Sequence, residues 1–157
     1  MLNVVKFSLP AMVTLAAAGC GPGKGGGGLP ESIDGNYTIT AMNYFGEVRV
    51  LEDIQKMRPE ARKVTFAEGK MTTNTHGSPQ TYDLAIDRTK SPAQVVFTRQ
   101  IEKDGQTETE TTYGAIAMVG GYLTVSRCVT PDLKPEDRPT TIKNGEKFLT
   151  IKLKKDS

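Results

Sequence analysis

The chain has 157 residues, with 20 Lys and Arg against 18 Asp and Glu, one His, two Cys and no Trp. That is one domain's worth of sequence, long enough to fold without a metal or disulfide. A net charge of +2 argues against nucleic acid, which requires a concentrated basic face, one His with two Cys excludes the usual four-ligand zinc sites, and no haem-attachment, CxxC or phosphate-loop motif suggests a cofactor.

In chain order, the first element is a leader. Lys6 is the sole charge before an apolar stretch, Phe7–Ala18, that ends in small residues and Cys20. Its 12 residues fall short of the roughly 20 that a helix needs to cross a ~30 Å hydrocarbon core, so the segment reads as a secretory signal with a small-residue cleavage site. Ala18-Gly19-Cys20 resembles the end of a bacterial lipoprotein signal, with Ala17 at the position where that pattern prefers Leu. The resemblance implies removal of residues 1–19, acylation of Cys20 and anchoring by several buried chains. Gly21 rather than Asp after the Cys slightly favours the outer membrane of the cell envelope. Residues 20–32 then form a Gly-rich tether, whose segment Gly21–Pro30 spans roughly 17 Å as a flexible coil; a folded domain is expected over 33–157.

Within that domain the period of apolar residues is two, as half-buried strands require. Tyr37, Ile39 and Ala41 alternate with Thr38, Thr40 and Met42. Leu51–Arg62, interrupted by Pro59, is the single helical candidate. Val64 and Phe66, then Met71, Thr73 and Thr75, then Tyr82, Leu84 and Ile86, each share a strand face. Val95, Phe97, Arg99 and Ile101 share the next. Leu123, Val125 and Val129 oppose Thr124, Ser126 and Cys128, and Ile151 and Leu153 oppose Lys152 and Lys154 in the last run. Glu68-Gly69, Asp104-Gly105 and Gly120-Gly121 are hairpin turns, Asp104-Gly105 with a strong type I′ signal. Asp87–Pro92 and Thr130–Pro139 are longer loops. About eight strands in up-and-down order, with one short helix, predict an all-β antiparallel barrel, since closure removes exposed edges.

The order of features resembles a lipocalin-like domain family of uncharacterised secreted bacterial proteins. The residues that carry the likeness are Gly35-Asn36-Tyr37, where the family has Gly-x-Trp, then Val64–Lys70, Asp87–Pro92 before Val95-Val96-Phe97, Gly114-Ala115-Ile116 leading to Leu123-Thr124-Val125, and Arg138-Pro139-Thr140. The resemblance implies a lipocalin-like fold and an extracytoplasmic compartment. It implies no particular ligand and no catalytic residues.

Candidate chemistry is sparse. His76 sits in a loop pattern with Ser78 and Asp83 nearby but no nucleophile-elbow sequence. Glu108 and Glu110 share a strand face at about 7 Å, a spacing glycosidases use, yet the Thr/Glu alternation reads first as a polar hairpin arm. Cys128, left over if Cys20 is acylated, is expected as a buried thiol, with an intermolecular disulfide in the oxidising envelope as the alternative. Arg99 shares a face with apolar neighbours, so it either reaches out of a barrel mouth or needs an anionic partner inside. Tyr37, Tyr82, Phe97, Arg99 and Tyr113 are the candidate lining of a ligand cavity, although eight strands are equally able to be filled by their own side chains. The expectation is a membrane-anchored binder of a small apolar or amphipathic ligand, not an enzyme, with a protein-interaction or inhibitor module of the envelope as the alternative.

Overall fold

The structure, a computed structural model, describes residues 28–49, 51–74 and 77–157. Its strands are β1 (Gly35–Tyr44), β2 (Glu47–Arg49), β3 (Lys63–Ala67), β4 (Lys70–Thr73), β5 (Gln80–Asp87), β6 (Ala93–Lys103), β7 (Gln106–Val119), β8 (Tyr122–Cys128) and β9 (Phe148–Lys155). Helix α1 is Leu51–Gln55. Every neighbouring pair from β3 to β9 is antiparallel and consecutive, and β1 bonds to both β3 and β9. The result is a closed up-and-down barrel of eight strands with β2 added outside on β1, the all-β antiparallel barrel that the periodicity predicts and the lipocalin-like architecture that the resemblance implies.

Four two-residue hairpin turns have both central residues at positive φ: Phe45-Gly46, Glu68-Gly69, Asp104-Gly105 and Gly120-Gly121. That geometry matches the right-handed twist of the flanking strands. The first of these turns is absent from the sequence reading. Phe45 is a poor turn residue by composition, and all three residues of β2 are exposed, so neither alternation nor an Asn-Gly type pair marks the hairpin.

Two expectations are corrected. The alternation of β1 reverses after Ile39: the register with β9 shifts between Ile39 and Ala41, so Thr40 is an extra residue in the strand. A bulge of this kind moves every later side chain to the other face. Met42, not Ala41, is therefore in the core. The helical candidate Leu51–Arg62 is also shorter, with α1 ending at Gln55 and a separate 3₁₀ turn at Pro59–Arg62. Proline clashes with a helical conformation of the residue before it, and Arg58 is extended at φ −56° and ψ 141°.

The strand register distinguishes two ends of the barrel. One, the leader end, carries Ile33, the Glu68-Gly69 and Gly120-Gly121 turns, and the Asp87–Pro92 loop. The other, the helix end, carries Tyr44, α1, the start of β3, the Asp104-Gly105 turn and Cys128. The axis between them is filled. Ile39, Phe66, Tyr82, Phe97, Ile116, Leu123, Val125 and Leu153 are all buried, and Ile54 of α1 joins the same core. Tyr37 meets Phe66 edge-on at 5.4 Å between ring centroids, and Tyr82 meets Phe97 at 6.1 Å.

Strand β8 is buried on both faces, with Leu123, Val125 and Arg127 inward and Thr124, Ser126 and Cys128 outward. The long β8–β9 connection provides the outer cover. The Ser126 hydroxyl donates to the Lys143 carbonyl at 2.7 Å and accepts from the Lys143 amide at 3.2 Å. Thr150 Oγ1 donates to the same carbonyl at 2.5 Å. These bonds satisfy hydroxyls that would otherwise be costly to bury. Cys128 is buried within this packing. At the leader end the Arg88 Nη1 donates to the Pro30 carbonyl at 2.6 Å, and Leu29 packs on the core margin, so the described part of the Gly-rich segment lies against the barrel.

Candidate functional site

Of the five lining candidates, Tyr82 and Arg99 meet in one cluster, which Phe97 adjoins through its contact with the Tyr82 ring; Tyr37 and Tyr113 lie elsewhere. Tyr37 closes the leader end. Its hydroxyl donates to the Ile33 carbonyl at 2.9 Å, and its ring lies beneath Lys155 Nζ at 5.8 Å. Burial, with the nearby Asp34 carboxylate, raises the Tyr37 phenol above the usual tyrosine range. A raised folded-state value favours the protonated phenol. Its stabilisation is complete below the unfolded tyrosine value and is lost as pH rises through the folded value. Tyr37→Phe is expected to lower stability by about 1 kcal/mol at neutral pH. It is also expected to flatten the loss of stability above pH ~10, where tyrosine ordinarily titrates. Urea melts from pH 7 to pH 11 compare the two slopes, and identical alkaline slopes would refute the assignment.

Tyr113 is the corrected candidate. Strand β7 places Glu110, Thr112, Gly114 and Ile116 inward, so Tyr113 points out of the barrel opposite Val96. There the Arg138 guanidinium lies 3.9 Å from its ring centroid, and Arg138 Nη2 donates to its hydroxyl at 2.9 Å. This pair pins the β8–β9 connection to the outer wall instead of lining an interior.

The remaining candidates sit in the mouth at the helix end. Arg99 Nε donates to Glu110 Oε1 at 2.9 Å, and Arg99 Nη1 to the Tyr82 hydroxyl at 3.2 Å. That hydroxyl donates onward to Gln80 Oε1 at 2.9 Å. The Arg99 and Glu110 side chains are 23% and 22% exposed, which places them at the boundary between core and solvent. Burial opposes the Arg99 charge, but Glu110 and the Tyr82 oxygen outweigh it and hold Arg99 above its ordinary value. Both alternatives raised for Arg99 are thus partly realised: it is near the mouth, and it has a carboxylate partner.

A second guanidinium completes the cluster. Arg127 follows Leu123 and Val125 on the inner face of β8, is only 8% exposed, and has its guanidinium carbon 4.7 Å from the Tyr82 ring centroid. No carboxylate among the described residues is within ion-pairing distance of it. Burial pushes its charge below the ordinary arginine range and the nearby Arg99 adds to this, while Tyr82, through its oxygen and a hydrogen bond, and the Glu110 carboxylate oppose it. The sequence signal was available, because Arg127 alternates with Leu123 and Val125 as Arg99 does with Val95 and Phe97. The grouping of Leu123, Val125 and Val129 skips position 127, where the same alternation places Arg127.

The other candidates separate. Glu110 is held by Arg99, while the exposed Glu108 lies 3.8 Å from Lys103 Nζ, so the two carboxylates are individually ion-paired. Asp83 pairs with Lys70 on the outer wall. Among the described residues no three His, Cys, Asp or Glu side chains converge as a metal site would. Cys20 and His76 lie outside the described residues. Grooves of about 220 and 270 Å³ lie at the leader end, one between Leu29 and the Arg88–Ala93 stretch, the other beside Ile33, Phe66 and Ile86. Comparison with protein-family models, with curated proteins and with solved structures finds no match to this chain.

Proposed function

We propose that the chain is a lipid-anchored protein of the bacterial cell envelope, of the lipocalin-like kind, that binds a small amphipathic ligand at the helix-end mouth of its barrel and performs no catalysis. The observation that carries this reading is the Arg99–Arg127–Tyr82–Glu110 cluster, an island of charge at the rim of a mainly apolar interior. A few placed polar groups beside apolar walls are what fix a small ligand's orientation. The filled axis argues for recognition at the mouth in place of a deep calyx. The described N-terminal residues reach the barrel at the leader end. A tether from Cys20 would therefore hold the protein by that end and leave the mouth facing away from the bilayer.

A protein-interaction role is the second reading, and one feature favours it. Phe45, Val48 and Leu51 are exposed on the β1–β2 hairpin and the start of α1, and among the described strands β2 pairs with β1 alone. Native mass spectrometry of protein taken from its own envelope separates the two: a retained small molecule supports the first reading, a retained polypeptide the second. For the anchor, Cys20→Ser is expected to move the protein from the membrane to the soluble fraction. Retention of that variant in washed membranes would overturn the lipidated Cys20.

A further inference from the structure

We propose that the helix-end mouth is an anion site, in which Arg127 and Arg99 together receive the oxyanion head group of the ligand; this rests on the reading of the barrel as a small-amphiphile binder. The cluster holds two guanidiniums against one carboxylate. Glu110 is already engaged by Arg99 Nε, and the Tyr82 hydroxyl already donates to Gln80. Arg127 is thus buried against an aromatic face with no anion of its own among the described residues. A buried charge is ordinarily paired, because removing it from water without a partner is expensive.

A second observation, independent of charge, marks the same place. The Thr112 hydroxyl is fully buried and has no hydrogen-bond partner among the described residues. Thr112 lies on the inner face of β7 between Glu110 and Gly114; its register partner is Phe97, and Gly114 is paired with Arg127. Thr112 and Arg127 are therefore diagonal neighbours on the inner faces of adjoining strands, and Arg127 has no carboxylate within ion-pairing distance among the described residues. A water molecule would satisfy Thr112 but leave the excess positive charge. A carboxylate or phosphate carries the charge that water lacks, and planar guanidinium matches such groups with paired N–H donors. Arg99 Nη2 donates to no described residue and is the second available donor. The excess of one positive charge fits a monoanion. Because the axis beyond Phe97 and Val125 is filled, the head group enters first and its apolar tail remains at the rim.

The test is calorimetric titration of the purified full-length chain with octyl phosphate, octyl glucoside and inorganic phosphate, all below micellar concentration. Octyl phosphate is expected to bind at least tenfold tighter than octyl glucoside and to weaken as salt rises. Arg127→Met is expected to lower octyl phosphate affinity at least tenfold and octyl glucoside affinity by much less, with Arg127→Lys intermediate for octyl phosphate; a melt of each variant confirms that it is folded. Equal binding of the two octyl probes, insensitive to Arg127→Met, overturns the anion site and leaves the amphiphile reading standing. Arg127-dependent binding of inorganic phosphate without any gain from the octyl chain keeps the anion site and overturns the amphiphile reading. No binding of any probe overturns both.

Discussion

Gly114→Ala is expected to destabilise the barrel by about 3 kcal/mol or more, at the upper end of what inserting a group into a packed interior costs. That corresponds to a fall in Tm of roughly 10 °C or more for a domain of this size. A Cβ at Gly114 would lie 2.1 Å from the Ser126 carbonyl oxygen, 3.0 Å from Phe97 Cε2 and 3.1 Å from the Arg127 Cα. Two of these three neighbours are backbone, so the strain has no flexible side chain to absorb it. Relief requires β7 and β8 to part at the step where Gly114 pairs with Arg127, which breaks ladder bonds on a wall of the barrel. Glycine inside a strand commonly marks such a close approach or a sharp coil. Gly120→Ala is the control. No heavy atom lies within 4 Å of a Cβ there, and only its positive φ of +58° opposes a side chain. That substitution is expected to cost about 1 kcal/mol. Thermal melts of both variants check the difference, and equal losses would show that the close approach at Gly114 is not tight.

The contrast between these glycines shows what a sequence reveals and what it hides. Gly120-Gly121 is legible as a turn because local geometry demands it. Gly114 sits inside a run of strand-forming residues, and the reason for it is a neighbouring strand that sequence alone does not place. Alternation in β5, β6, β8 and β9 was legible for the same local reason that a strand buries every second residue. The β1 bulge was not, because one extra residue at Thr40 leaves the pattern on each side intact and changes only its phase. Tyr113 was misplaced by a related omission. An aromatic ring was assumed to face inward, whereas the β8–β9 connection provides a second apolar cover on the outer wall. Composition does not show a loop folding back over a sheet. The arginines follow the opposite logic: a long charged side chain on a core face is a local contradiction, visible without coordinates, and such contradictions are where function is expected.

The same contradiction yields the second large effect, in which two substitutions in one cluster shift stability in opposite directions. Glu110→Gln removes the sole carboxylate between two guanidiniums. The loss is expected to be about 2 kcal/mol, below the range for breaking a fully enclosed pair because the Arg99–Glu110 pair is partly hydrated. Arg127→Met removes a buried charge that has no carboxylate partner among the described residues and replaces it with an apolar chain of similar length. Exchanges of this kind are often neutral or stabilising, and here the expected result is a gain of up to about 1 kcal/mol. In the double variant, Arg99 no longer faces a second cation, so Glu110→Gln should do less harm than it does alone. A coupling of about 1 kcal/mol is expected, within the range for residues in one network. Urea melts of the wild type, both single variants and the double variant measure all three quantities at one pH. If Arg127→Met instead destabilises by 2 kcal/mol or more, Arg127 is serving the fold through its stack on Tyr82. If the gain is observed, the barrel carries a residue that weakens it, and a role in binding becomes the physical reason for keeping that residue.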